Sequence, residues 1–302
     1  MRTSLPLLLC CVATLRVATQ PALETIPLTR VDHFLFVDIR VNEHTEPLHF
    51  LFDTGAGVTV VHTAVAEKLQ LTISGESSIS TAGKSVVSQE SAHNTLHLGQ
   101  ALRLDSIELI LMDLTHLRTY FDYPIDGVIG YDLLARYVTE TRIDAQEMRL
   151  YAPADYTYTG PATGLELTTL ESNLFGILID VTPDKRSEPI VLNCEIDTGA
   201  GNYLTLHPAT VSAHELIDAR KRHKKISGFG AEATVTTNLE RKIAEVHFGG
   251  QRWKKVPTTL EVDPVNHRRN SLADGLIGQR LLLDFNIVYD LPRRRMYLEV
   301  RK

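Results

Sequence analysis

The chain has 302 residues, 43% apolar and 23% charged, so each half can bury a core of its own. A net charge of −6 is modest and excludes the basic signature of a nucleic-acid binder. After the first residues, no run is apolar for long enough to cross a bilayer as a helix.

The N-terminus has the layout of an export signal over 1–22. Arg2 is a short positive segment, Ser4 to Ala13 is mostly apolar, and small residues follow at Ala18, Thr19 and Ala22. The alternatives are retention as an N-terminal anchor and an N-terminal strand or helix of the fold, and Cys10-Cys11 lies in the zone of a lipid-modified cysteine, though without the usual Gly or Ala before it. The expected location is exported, periplasmic or secreted. Cleavage would leave Cys194 as the lone thiol, so the mature fold is expected to stand without an intramolecular disulfide. Its place in an apolar run predicts a buried strand residue.

Beyond the signal, FLFVDIRV (Phe34 to Val41) mixes alternation with β-branched and aromatic residues and predicts a strand. A polar turn leads to HFLF (His49 to Phe52), which runs into Asp53-Thr54-Gly55-Ala56-Gly57. Thr63 to Leu69 reads as a short helix. Ile79 to Val86 (ISTAGKSV) has the small residues of a hairpin tip, and LHLGQALRLDSIELILMD carries two strands around a Gly turn. Asp126-Gly127-Val128-Ile129-Gly130 follows, then Leu133-Leu134 and a strand-like run to Asp144. Tyr151 to Gly164, rich in Pro, Gly, Thr and Tyr, reads as a boundary. The expected division is a first lobe over 23–152, a linker over 153–164 and a second lobe over 165–302.

The second half repeats the first. LFGILIDV (Leu174 to Val181) precedes VLNCEI (Val191 to Ile196), which runs into Asp197-Thr198-Gly199-Ala200-Gly201. A helix is expected over Ala209 to Leu216, and Ile226 to Ala233 (ISGFGAEA) matches the hairpin tip. AEVHFGGQRWKKVPTTLEV again turns at Gly249-Gly250. Asp274-Gly275-Leu276-Ile277-Gly278, Leu281-Leu282 and FNIVYD to Asp290 complete the copy. Asp126 lies 73 residues after Asp53, and Asp274 lies 77 after Asp197. Self-similarity this long predicts a duplicated unit, and the residue patterns make both units mostly β. The basic run Ala219 to Lys225 reads as a solvated loop or helix end.

A strand ending in Asp-Thr-Gly puts a carboxylate on a tight turn, and the Thr hydroxyl can bond across to a symmetry mate. Two facing loops hold two acids a few ångström apart, expected at roughly 3–5 Å. Like charges that close share a proton. One acid then serves as base toward a water and the other as acid toward a carbonyl oxygen.

On these residues the chain resembles the aspartic proteases. Its two-lobed plan is similar to the pepsin-like enzymes, and the Ala after each Asp-Thr-Gly to the retropepsin-like branch. The resemblance runs from about Phe34 to Val300. It implies an all-β fold of two β-barrel-like lobes with a cleft between them, and an endopeptidase that needs no cofactor. It implies Asp53 and Asp197 as the catalytic dyad. Thr54 and Thr198 would lock the loops, and Gly55 and Gly199 would form their turns. Val128-Ile129-Gly130 and Leu276-Ile277-Gly278 would thread behind them. It also implies a hairpin flap over the cleft, for which Thr81, Ala82 and Gly83, or Gly228, Phe229 and Gly230, are the candidates. The pepsin-like flap tyrosine has no clear match, since Phe229 supplies bulk without a hydroxyl. Pepsin-like members also carry Ser or Thr where this chain has Gly57 and Gly201, and that hydroxyl helps orient the carboxylate.

Other chemistry has weaker support. The twelve His include no HExxH, the Cys show no paired spacing, and no metal is expected. His62 and His207, which follow the two acidic loops, are expected to cap or pack the next element. Asp126 and Asp274 read as turn residues bonding local backbone. The expected partner is a peptide or protein substrate, with no nucleic acid, and the chain is expected to be a monomer. The rival reading is a non-catalytic peptide-binding module that keeps the cleft. Pairing of each lobe with another chain is opposed by the matched halves.

Overall fold

The computed structural model describes residues 20–80, 85–218, 223–229, 235–262 and 272–301. Nearly all of the expected export signal, with Cys10 and Cys11, lies outside the described residues. So do the hairpin-tip residues Thr81, Ala82, Gly83 and Gly230, and Ala219 to Arg222 of the basic run.

The first half opens with strands β1 (Glu24–Pro27), β2 (Thr29–Val31), β3 (Phe34–Val41), β4 (Leu48–Phe52) and β5 (Thr59–His62). Helix α1 (Thr63–Lys68), β6 (Gly75–Ser80), β7 (Ser85–Leu98) and β8 (Leu102–Met112) follow. Then come α2 (Thr115–Phe121), β9 (Gly127–Ile129), α3 (Tyr131–Leu134), β10 (Val138–Arg142) and β11 (Glu147–Tyr151). The second half opens with β12 (Leu165–Glu166), β13 (Thr168–Thr169), β14 (Phe175–Thr182), β15 (Ile190–Asp197) and β16 (Leu204–Leu206). It continues through α4 (Pro208–Ala213), β17 (Lys224–Phe229), β18 (Val235–Phe248) and β19 (Gln251–Leu260). It ends with β20 (Gly275–Gly278), α5 (Gln279–Leu282), β21 (Phe285–Asp290) and β22 (Arg295–Val300).

The fold is all-β and two-lobed. Each lobe holds an eight-stranded sheet, ordered β2-β3-β4-β9-β5-β8-β7-β6 in one and β13-β14-β15-β20-β16-β19-β18-β17 in the other. The orders correspond strand for strand. Further pairings, β3 with β7 and β14 with β18, curl each sheet on itself. The long hairpins that do this turn at Gly99 (φ +62°) and at Gly249-Gly250 (φ +55° and +75°), left-handed conformations that glycine adopts without a Cβ penalty.

A third, six-stranded sheet, β1-β11-β10-β21-β22-β12, takes strands from both halves. Its central pair joins Thr139 to Tyr289, Glu140 to Val288 and Thr141 to Ile287. One apolar core is continuous beneath it, from Phe52 and Ile129 to Ile196, Phe285 and Tyr289. The Tyr289 ring meets Phe52 edge-on at 5.8 Å between centroids. Cys194 is buried in this core, and burial pushes its thiol far above the ordinary range, as suits a packing residue.

The segment between the halves is fastened down. Tyr158 stacks on Tyr297 at 3.8 Å and donates to Glu299 at 2.9 Å. Arg293 donates to the carbonyls of Pro153 and Tyr156. Among the described residues no helix is long and apolar enough to cross a membrane.

Candidate active site

Each Asp-Thr-Gly loop leaves the end of a buried strand that is paired in parallel with a short apolar strand. Phe52 of β4 lies beside Ile129 of β9, and Asp53 N donates to Ile129 O at 2.9 Å. In the second lobe, Asp197 of β15 lies beside Gly278 of β20. The chain passes so close behind each loop that side chains are excluded. A β-carbon at Gly130 would overlap Asp53 O, and one at Gly278 would lie 2.9 Å from Ala200 O and nearer still to Asn202.

The threonines join the loops across the lobe boundary. Thr54 Oγ1 donates to Ile196 O at 2.7 Å and accepts from Thr198 N at 3.1 Å. Thr198 Oγ1 donates to Phe52 O at 2.9 Å and accepts from Thr54 N at 2.9 Å. Both side chains are buried, so six polar groups that would otherwise be stranded satisfy one another through four hydrogen bonds.

This lattice brings the carboxylates onto touching loops. Asp53 Oδ1 accepts from Gly55 N at 2.8 Å and, across the boundary, from Gly199 N at 3.2 Å. Two N–H donors fix the orientation of that oxygen. A β-carbon at Gly55 would lie 2.7 Å from the Asp197 carboxyl carbon, and one at Gly199 would overlap the Asp53 carboxylate. Asp53 and Asp197 both line a cavity of about 730 Å³ between the lobes. Its first-lobe wall is apolar, with Leu51, Val60, Met112 and Val128 backed by α2 through Leu117 and Phe121. Its second-lobe wall is polar and includes Glu195, Thr205, His207 and Glu261.

Gly57 and Gly201 lack a hydroxyl because the neighbouring lobe fills its place. A β-carbon at Gly57 would overlap Ser172 O, at the tip of the β13–β14 connection, and Asn173 Nδ2 donates to Gly57 O at 3.1 Å. A β-carbon at Gly201 would lie 2.5 Å from His33 Nε2 and 2.8 Å from Phe34 Cζ, at the matching β2–β3 connection. Gly201 O accepts from Arg280 Nε at 2.9 Å. Burial of the His33 imidazole and the charge of Arg280 lower its pKa below the ordinary 6.5, and Asp32, with its oxygen 3.0 Å from Nδ1, only partly offsets this.

The other sequence candidates fall in several places. β6–β7 and β17–β18 are antiparallel hairpins, so both proposed flap segments span hairpin connections. Gly228 lines the cavity with Ile226 and Ser227, whereas Phe229 ends β17 opposite Val235. His62 stands at the start of α1 and its Nδ1 accepts from Leu114 N at 3.2 Å, a packing role. His207 opens α4 but faces the cavity, with Nδ1 3.3 Å from Glu261. Asp126 and Asp274 bond distant rather than local backbone. Asp126 Oδ2 accepts from His49 N at 2.9 Å and Asp274 Oδ2 from Asn193 N at 2.8 Å, on the strands that deliver the acidic loops. These aspartates anchor those strands because each Asp-Gly turn lies beside the strand, not beside its own backbone.

Sequence reasoning missed Glu195, Glu261 and Arg280. The signal lay in the repeat itself, since the residue two before each loop aspartate is Leu51 in one copy and Glu195 in the other. Among the described residues, no group of three His, Cys, Asp or Glu is placed to hold a metal ion.

Residues 37–133, from within β3 to α3, match a protein-family model described as aspartyl protease. No curated protein matches the chain.

Proposed function

We propose, on the match of residues 37–133 to the aspartyl protease family, that this chain is an endopeptidase in which Asp53 and Asp197 activate one water between them. The observation that carries the reading is the reciprocal threonine lattice. It is buried structure spent on holding two carboxylates against each other's loops, and a surface that only gripped peptide would not need it.

In this mechanism the dyad shares one proton. The ionised carboxylate takes a proton from the water as its oxygen attacks the scissile carbonyl carbon. The protonated partner donates to the carbonyl oxygen, giving a tetrahedral diol. Collapse breaks the C–N bond, and a carboxyl group returns a proton to the leaving amine. Gly55 N and Gly199 N hold Asp53 Oδ1 in place throughout, so little reorganisation is needed at the reacting centre. Hairpin β17–β18, which reaches the cavity through Gly228, is the described element suited to closing over a bound peptide.

The test is cleavage of an unbiased peptide library by wild-type and Asp197→Asn protein. The variant keeps its loop and shape, and its rate is expected to fall by at least about 10²–10⁴-fold. Asp53→Asn should fall equally, and the double variant scarcely further, because a dyad acts as a unit. A bell-shaped pH profile belonging to the pair is expected. Equal cleavage by wild type and variant would remove these residues from the mechanism. Tight peptide binding without cleavage would establish the peptide-binding module instead. Export belongs to the same proposal. Secreted protein sequenced from its N-terminus should begin between Val17 and Glu24, and intact Met1 in a soluble cytoplasmic fraction would reject it.

A further inference from the structure

The two lobes present the same strand positions to the cavity with different chemistry. In the first lobe Leu51, Val128 and Val60 lie side by side across β4, β9 and β5. In the second, Glu195, Leu276 and Thr205 take the same register across β15, β20 and β16. Farther along, Met112 lies beside His62 on β8, and Glu261 follows Leu260, which lies beside Leu206. The histidines of the two copies thus have Met112 on one side and Glu261 on the other. One wall is a row of apolar side chains, and its counterpart carries two carboxylates and a hydroxyl.

We propose that the second-lobe wall is a specificity subsite for a basic side chain. The preferred peptide carries Lys or Arg on the flank of the scissile bond that faces Glu195 and Glu261, and a large apolar residue on the flank that faces Leu51 and Met112. This rests on the peptidase reading only in that a peptide occupies this cleft.

Placement gives the first reason. Alternate residues of a strand share a face, so Glu195 flanks Asp197 at about 7 Å, one pleat repeat along β15. The side chain it meets is therefore the one next to the reacting bond. Burial gives the second. Glu195 is 3% exposed and the Glu261 side chain 15%, so an apolar group laid on them would cover carboxyl oxygens and offer them no hydrogen bond. An ammonium or guanidinium there makes charge-assisted bonds in a shielded site. The third reason is the acidity of the wall: Glu240 also lines the cavity, together with His207, whose Nδ1 is 3.3 Å from Glu261, and Arg280, which donates to Gly201 O and lies over the face of Tyr203. The opposite wall keeps its apolar row, where each buried methylene of a Leu or Phe gains about 0.8 kcal/mol.

The test is calorimetric binding of peptides whose scissile bond is replaced by hydroxyethylene, so that no turnover is required. Two series carry Lys, norleucine or Glu on one flank or the other, with Leu opposite. In one series Lys is expected to bind at least tenfold tighter than norleucine, its uncharged match in length, with Glu weakest. Glu195→Gln and Glu261→Gln keep shape and should each reduce that preference to under threefold, leaving the preference for Leu on the other flank unchanged. Glu261→Gln alone suffices if Glu195→Gln fails to fold. Norleucine binding as tightly as Lys in both series overturns the subsite, as does a Lys preference that survives every folded variant, or no binding by any peptide. Lys-selective binding by a protein that cleaves none of the parent peptides would leave the subsite standing and sink the peptidase reading.

Discussion

Gly57 and Gly201 occupy matched positions, yet the groups that exclude a side chain from them differ. At Gly57 the obstacle is backbone, Ser172 O, and at Gly201 it is the ends of two side chains, His33 and Phe34. Backbone yields less than a rotatable ring, so Gly57→Ala is expected to cost about 1–3 kcal/mol in urea unfolding and Gly201→Ala less. Equal costs would mean that the first-lobe hairpin tip is as rigid as the second. His33 adds a pH term. Burial and Arg280 depress its folded-state pKa below 6.5, so the unfolded chain binds the proton more readily. Its contribution is whole above about pH 6.5 and is lost as pH falls through the depressed value. Asp32 and Arg30 are the other charges acting on it. Urea midpoints between pH 7 and 4 should therefore fall less steeply in His33→Asn than in wild type, and parallel curves would contradict this. Both roles were hidden in the sequence, because Gly201 and Arg280 beside His33, and Ser172 beside Gly57, are more than a hundred residues away along the chain.

At the scale of elements, the acidic loops are held by an exchange of side chain and backbone, not by their own strands. Thr198 Oγ1 both donates to Phe52 O and accepts from Thr54 N. Thr198→Val keeps the volume but strands a buried carbonyl and a buried N–H, and is expected to cost about 3 kcal/mol in denaturant unfolding. Thr54→Val should match it, and a cost under about 0.5 kcal/mol for either would show that water replaces the lattice. The strands that carry these loops were legible, because their apolar runs end sharply at Asp-Thr-Gly. The long hairpins were legible from Gly99 and Gly249-Gly250. Helix α2 was not. It has seven residues, too few to show a period, and it forms where Leu117 and Phe121 cover the apolar row of the first lobe.

For the molecule as a whole, the six-stranded sheet ties the lobes together. The β10–β21 pairing sits at its centre, above a core shared by Phe52, Ile196 and Tyr289. Separating the halves would expose an unpaired strand edge and open that core. One cooperative transition is therefore expected in calorimetry, with equal calorimetric and van't Hoff enthalpies. Two resolved transitions would mean that each lobe keeps its own core when the other melts.

The sequence by itself determined that there are two similar β units and that each ends an apolar strand in Asp-Thr-Gly, the loop on which the proposed chemistry rests. Those features are local, since strand periodicity, turn glycines and a motif read twice need no knowledge of what lies across the fold. Only the tertiary structure decided how the units meet. The third sheet, the hairpin tips that fill the places beside Gly57 and Gly201, and the fastening of Tyr158 on Tyr297 all join residues far apart in sequence. The contrast between the cavity walls lies between these cases. Leu51 and Glu195 were in plain view as letters, but register across three strands was needed to place them on facing walls of one site.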